Sequence, residues 1–167
     1  LQFTNIYSEG GEYITKDISK VLKTSMQIAE ALKFNFGNAD IGEASETETV
    51  QVEVVGENSP VEITEKYLAE IISARVKHIL DRVRQDLTRG RLLDLPGGIV
   101  LVGGTAIMPG VVEVAQEIFE TNVKLYIPNQ VGIRNPMFAN VISLVEYVGL
   151  LTEVDIIAQQ AVCGEEY

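Results

Sequence analysis

Apolar residues along this chain alternate between helical and strand-like stretches. From about Thr15, the residues Ile18, Val21, Leu22, Met26, Ala29 and Leu32 keep helical spacing. Asp17 sits in the first turn, where a carboxylate favours the positive end of the helix dipole. The spacing predicts a helix to about Lys33, with room for one break, and a turn over Phe34 to Asn38. Ahead of it, Leu1 to Tyr7 reads as a short strand that Gly10-Gly11 ends. Asn38 to Thr49 is acidic and poor in apolar residues, hence an exposed loop. Val50 to Val55 alternates with period two, which marks a half-buried strand. Gly56 to Pro60 has turn composition, and Val61 to Ile63 reads as a second strand of the same small sheet.

Thr64 is placed to cap a long helix that runs to about Arg89. At about 100° per residue, Ile72, Val76, Ile79, Leu80, Val83 and Leu87 share one arc and predict a core-facing side. Arg75, Arg82 and Arg89 line one border of that arc, and Lys77, Arg84 and Arg91 lie beyond the other. Leu95-Pro-Gly-Gly98 breaks the chain. Ile99 to Val102 is a short apolar run, expected as a strand buried on both faces. Gly103-Gly104 follows, and Pro109 is expected at the first helical position, with the helix continuing through Val112, Ala115, Gln116 and Phe119. Val123 to Ile127 is a further strand, Pro128 to Pro136 a loop, and a last apolar helix runs to about Leu151, leaving a tail. This order predicts an α/β layer with parallel crossovers, formed by residues 1–11 and 74–151. Residues 12–73 form a separate α+β lobe in this reading, and 152–167 a tail or linker.

Composition narrows the function classes. The chain has 167 residues, 46% of them hydrophobic, so a core can be buried, yet no apolar run approaches the roughly 20 residues that span a bilayer. The first residues have no basic-then-apolar leader pattern and no initiating Met, so the chain is expected to be a piece of something longer. A single cysteine, Cys163, excludes a disulfide framework and suits a cytosolic setting. The lone His78 builds no His-based metal site, and phosphate-loop, zinc and serine-hydrolase signatures are missing. The formal net charge of −11 argues against nucleic acid. The charge is uneven, however: six of the 13 Lys and Arg lie between Arg75 and Arg91, accompanied only by Asp81 and Asp86. A basic stripe on an acidic body suggests an acidic partner surface, against the plainer reading of a solvated helix face.

The strand, Gly103-Gly104 and helix unit carries the candidate chemistry. In open α/β sheets, ligands bind beyond the carboxyl ends of strands. Glycines there let a flat ring or a phosphate approach the backbone, and a helix N-terminus adds unpaired N–H groups. The residues alone leave two readings, a nucleotide-sized site or a tight turn. The stretch Ile99-Val-Leu-Val-Gly-Gly-Thr-Ala-Ile-Met-Pro-Gly110 resembles the adenosine-side motif of actin-like ATP-binding proteins. Ser25-Met-Gln-Ile-Ala-Glu-Ala-Leu-Lys33 resembles the Ala-Glu-x-x-Lys helix of bacterial actins and related heat-shock chaperones. That resemblance implies that Glu30 and Lys33 contact ribose and adenine; a surface ion pair is the alternative.

Leu125-Tyr-Ile-Pro-Asn-Gln-Val-Gly-Ile-Arg-Asn-Pro136 and Phe138-Ala-Asn-Val-Ile-Ser-Leu-Val-Glu-Tyr147 resemble the C-terminal half of the FtsA family of bacterial cell-division proteins, in its firmicute and streptococcal form. The resemblance covers nearly the whole chain. It implies the second half of an actin-like, ribonuclease H-like fold: subdomain 2A with an inserted subdomain 2B. It further implies a parent that binds ATP with Mg, self-associates into actin-like filaments with weak ATPase activity, tethers the FtsZ ring and meets other divisome proteins. Its setting would be cytoplasmic, at the inner face of the membrane at the septum, with membrane binding only through a segment absent here. By resemblance, Glu30, Lys33, Gly103, Gly104, Thr105 and Met108 are nucleotide contacts. Arg82, Arg84 and Arg89 are assigned to the FtsZ C-terminal tail and Arg75 to self-association. The family's phosphate hairpin would precede Leu1, so the chain is expected to bind ATP weakly or not at all and to hold no catalytic residue. The alternatives are half of an actin-like metabolite kinase or a nucleotide-independent actin-like adaptor.

Overall fold

The computed structural model describes residues 3–92, 96–129 and 135–151. The expected tail with Cys163, and the centre of the Pro128 to Pro136 loop, lie outside the described residues. The first helical stretch is two helices, α1 (Gly11–Leu22) and α2 (Met26–Phe36). α1 starts earlier than Thr15, at the glycine pair, and buries Ile14, Thr15, Ile18 and Leu22. The break falls where Lys23 takes φ +50°, and Ser25 then caps α2 by accepting from the Ile28 N–H at 3.2 Å. α2 runs through Phe36, so the turn expected from Phe34 begins only at Gly37, whose N–H closes on the Lys33 carbonyl at 3.1 Å.

β1 (Thr49–Val52) and β2 (Val61–Thr64) form an antiparallel pair in which Val50 opposes Ile63. β1 ends before Val55 because the Val55 N–H turns to the Lys23 carbonyl at 2.8 Å, tying the pair to the end of α1. The Thr64 hydroxyl accepts from the Tyr67 N–H at 3.1 Å and starts α3 (Glu65–Arg89). Leu68, Ala69, Ile72, Ser73, Val76 and Leu80 are its buried face, whereas Ile79, Val83 and Leu87 are only half-buried. Each fully buried Leu or Ile contributes roughly 1.5–3 kcal/mol from the surface it removes from water.

β3 (Ile99–Leu101) lies parallel to β4 (Val123–Leu125), with Ile99 opposite Val123, and α4 (Val111–Phe119) is the crossover between them. Two expectations fail here. β3 is not buried on both faces: Ile99 and Leu101 pack on the core, but Val100 is 58% exposed. Strand pleating sends alternate side chains to opposite faces, and only one face of this two-stranded sheet is covered among the described residues. Residues 3–9 form no strand; Asn5 Nδ2 and the Tyr7 hydroxyl instead donate to Asp86 on α3 at 2.7 and 2.5 Å. α5 (Ala139–Leu150) follows a 3-10 turn, Pro136–Phe138, and ends close to the predicted Leu151. One apolar cluster runs from Ile14 through Leu32, Val52, Ile72 and Val114 to Val123, joining both sheets' elements through α3.

Candidate functional site

α1 and α2 meet at a polar cluster sealed by the core beneath it. Lys33 is one turn after Glu30 on α2, and its ammonium reaches Glu30 Oε2 at 2.7 Å. The same ammonium donates to Thr15 Oγ1 at 2.8 Å and to the Gly11 carbonyl at 3.3 Å. The Thr15 hydroxyl in turn donates to Glu30 in a short hydrogen bond. The Lys33 side chain is only 14% exposed whereas Glu30 is 58% exposed, so a screened cation is aimed at a carboxylate that faces solvent. The ammonium, followed by the Thr15 hydroxyl, holds the Glu30 carboxyl below the ordinary glutamate range. An open groove of about 680 Å³ beside Glu30 is lined by Glu12, Thr15, Met26, Ala31 and Phe34, among others.

The glycine loop abuts this cluster through Gly11. A Cβ at Gly11 would overlap Thr105 Oγ1 and stand 3.9 Å from Lys33 Nζ. Thr105 opens a 3-10 turn, Thr105–Ile107, absent from the sequence reading. Met108 follows and reaches Gly37, and the Ala39 N–H donates to the Pro109 carbonyl at 2.8 Å. Pro109 is not the first helical residue. Gly110, at φ +79°, is the N-cap, because this close approach to Asn38 and Asp40 turns the chain before α4 can start. The two loop glycines differ in kind. Gly103 takes φ +101°, which favours glycine. Gly104 has an ordinary right-handed conformation, φ −64°, and only Met137 Cβ at 3.8 Å near its missing side chain. Among the described residues, neither the backbone nor the packing requires glycine at 104.

The arginines of α3 are all paired within the chain. Arg75 grips Asp17 of α1 through Nε at 2.5 Å and a second nitrogen at 3.1 Å, and lies 5.8 Å from the centre of the Tyr13 ring. Arg82 holds Glu9 at 2.6 Å. Glu9 Oε2 also lies 3.1 Å from His78 Nδ1 and 3.5 Å from Arg75, with no well-directed hydrogen bond to either. Arg84 reaches Glu120 beyond α4 at 2.9 Å, and Arg89 pairs with Asp86 at 3.2 Å on its own helix. The structure therefore brings Glu30, Lys33 and Thr105 together through Gly11, with Met108 seated on the end of the same helix. The arginines stand apart from it and divide between two sides of α3, Arg75 and Arg82 towards residues 9–17 and Arg84 towards the end of α4. Sequence reasoning missed Gly11, Thr15, Glu9 and Asp17, which become visible only once α1 packs against α2 and α3. Among the described residues no three His, Cys, Asp or Glu side chains converge on a cation site.

Comparisons with known proteins follow the same outline. A family model described as cell division protein FtsA matches residues 1–143. The chain is 66% identical over 165 residues to the cell division protein FtsA of Streptococcus pneumoniae, covering 99% of this chain and 36% of that protein. It is 54% identical over 166 residues to the Enterococcus faecalis protein of that name, covering 99% of this chain and 38% of the relative. For the Bacillus subtilis protein of that name the identity is 43% over 147 residues, covering 88% and 33%. Two solved structures share the fold. MreB5 of Spiroplasma citri bound to ADP superposes with a TM-score of 0.56 at 15% identity, covering 79% of this chain and 42% of that one. A non-polymerising MamK mutant bound to AMPPNP gives 0.53 at 17% identity, covering 78% and 42%. The fold is a partial actin-like one.

Proposed function

The chain belongs to the FtsA family of cell division proteins, and from that premise we propose that it supplies the adenosine side of an ATP cleft and a partner-docking lobe to a larger actin-like scaffold. In this reading the scaffold polymerises and tethers the FtsZ ring to the membrane at the division septum. The chain spans little more than a third of the length of the relatives it matches, so the phosphate side of the cleft falls to residues outside it. The observation that carries the nucleotide reading is Gly104, a glycine that nothing among the described residues requires, on a loop packed through Gly11 against the Lys33 and Glu30 pair. The residues fit adenosine chemistry. Gly103 and Gly104 leave the backbone open to a flat base, the exposed Glu30 carboxylate can accept ribose hydroxyls, and Lys33 supplies a positive charge held ready by Thr15 and Gly11. Bound ATP would supply binding energy and a γ-phosphate; no residue of this chain is assigned to its hydrolysis or to Mg²⁺.

In this reading residues 12–73 are the inserted lobe and residues 1–11 and 74–151 the sheet layer, and the docking surface is where the later part of α3 leaves the lobe. Arg82, Arg84 and Arg89 take an acidic partner tail, and Arg75 sets the α1–α3 geometry used in self-association. The decisive experiment uses the full-length protein carrying this chain. Gly104→Val is expected to lower ATP affinity at least tenfold while shifting the thermal midpoint by no more than about 2 °C. Unchanged affinity would reduce the loop to a turn.

A further inference from the structure

We propose that Thr15 is the positioning residue of the nucleotide wall, fixing through its hydroxyl the directions in which Glu30 and Lys33 point; this rests on the adenosine reading above. Thr15 is 2% exposed and sits one turn into α1, with its side chain between the two α2 residues. Its oxygen is used in both directions at once. It accepts from the Lys33 ammonium at 2.8 Å and donates to Glu30 Oε2, the same oxygen that Lys33 reaches at 2.7 Å. The three groups close a ring of hydrogen bonds in which each polar atom is oriented by the other two.

The ring has a consequence for the carboxylate. Glu30 is mostly exposed, and an exposed glutamate ordinarily samples several rotamers at little energetic difference. Here one oxygen is tied down from two directions, so the other is left in a fixed direction at the edge of the groove. A carboxylate with one free oxygen of set orientation suits a neighbouring pair of hydroxyls, and the ribose 2′- and 3′-hydroxyls are such a pair. The Gly11 carbonyl, 3.3 Å from the Thr15 hydroxyl and an alternative acceptor for its one proton, also accepts from Lys33. Thr15 and Gly11 thus present Lys33 with two acceptors besides Glu30, which keeps the ammonium in place when the carboxylate turns to a ligand.

The inference predicts a loss of ribose discrimination rather than of folding. In the full-length protein, the affinity ratio of ATP to 2′,3′-dideoxy-ATP is expected to fall roughly 5- to 10-fold in Thr15→Val, the scale of one ordinary hydrogen bond weakened by a carboxylate that is no longer held in direction. Thr15→Ser keeps the hydroxyl and should retain the ratio, and Thr15→Ala replaces the valine variant if the latter folds poorly. In the ligand-free protein, the Glu30 carboxyl titration followed by NMR should move upward in Thr15→Val and stay in place in Thr15→Ser, which a purely structural role would not produce. If Glu30→Gln lowers the ratio while Thr15→Val leaves both ratio and titration unchanged, the positioning role is overturned and the adenosine reading stands. If Glu30→Gln leaves the ratio unchanged, Glu30 is no ribose ligand and the positioning proposal is overturned, while the adenosine reading is decided separately by Gly104→Val.

Discussion

Gly11 has no side chain, and its neighbours occupy the space one would take. Thr105 Oγ1 lies where a Cβ would be, and Lys33 Nζ is 3.9 Å from that point. Gly11→Ala is therefore expected to destabilise the protein by roughly 1–2 kcal/mol, the usual cost of overpacking a tight contact. Adding Thr105→Ala should recover most of that loss. Chemical denaturation of the two variants and the double variant measures the coupling, and simple additivity would show that Gly11 and Thr105 do not compete for space. The charge chemistry beside them has a definite sign. The Lys33 ammonium, followed by Thr15, depresses the Glu30 carboxyl. Its stabilising contribution is then fully present above the ordinary glutamate value of about 4.3 and is lost as pH falls through the lower folded value. Lys33→Met should raise the Glu30 titration midpoint towards that ordinary value, as read by carboxyl chemical shifts across an acid titration.

α3 is the element on which the sequence is most informative and most misleading. Its seven-residue spacing of Arg75, Arg82 and Arg89 and its apolar arc are both present in the structure. Its charge, however, is not a free basic surface. Glu9 and Asp17, which pair with Arg82 and Arg75, lie 73 and 58 positions away along the chain, beyond the reach of any local pattern. The arginines also differ in how tightly they are held. Arg75 makes a two-pronged, mostly covered contact, while Arg89 is 77% exposed with one partner on its own helix. Exposed pairs of the latter kind contribute about 0–1 kcal/mol, so a partner carboxylate can replace them at little loss. An acidic peptide from the FtsZ C-terminus is accordingly expected to weaken about 5- to 10-fold on Arg89→Glu in the full-length protein, and further with Arg82→Glu. The binding should also weaken steeply between 50 and 300 mM salt, as contacts screened over roughly 8–10 Å do. Titration indifferent to both charge reversals would remove α3 as the docking element. Glu30 and Lys33 are singled out by the Ala-Glu-x-x-Lys resemblance, and their spacing of three residues on one helix makes their pairing a local pattern. Thr15 is not, because its role arises from the packing of α1 on α2, and in sequence it is one more small polar residue in an amphipathic helix. The β3 expectation failed for a related reason: an apolar run specifies the burial a strand favours, and only the neighbouring elements determine whether both faces receive it.

At the scale of the whole molecule, α5 carries the densest run of exposed apolar side chains among the described residues. α1, α2, α3 and α4 share one core; among the described residues α5 buries Ala139 and Ile142, and Leu144, Val145, Tyr147, Val148 and Leu150 are exposed. β3 adds Val100, with Val102 just after it, and Ile127 follows β4. Contiguous apolar surface beyond a few hundred Å² on a soluble chain promotes association. These side chains span much more of α5's circumference than an amphipathic surface helix would leave bare. The chain alone is therefore expected to associate with rising concentration and to bind an apolar dye such as ANS. Leu144→Lys with Val148→Lys should reduce both while leaving the helical circular dichroism signal in place, since neither residue contributes to the core. The full-length protein provides the control. Relatives are almost three times as long as the stretch they share with this chain, so further polypeptide is available to cover the face there. Dye binding per mole should fall sharply in the full-length protein, and the two lysines should then destabilise it by roughly 2–4 kcal/mol, because each charge would enter a packed interface without a partner. Equal dye binding by chain and full-length protein, together with tolerance of both lysines, would mean that the α5 face stays open in the whole molecule and that the surface has no intramolecular partner.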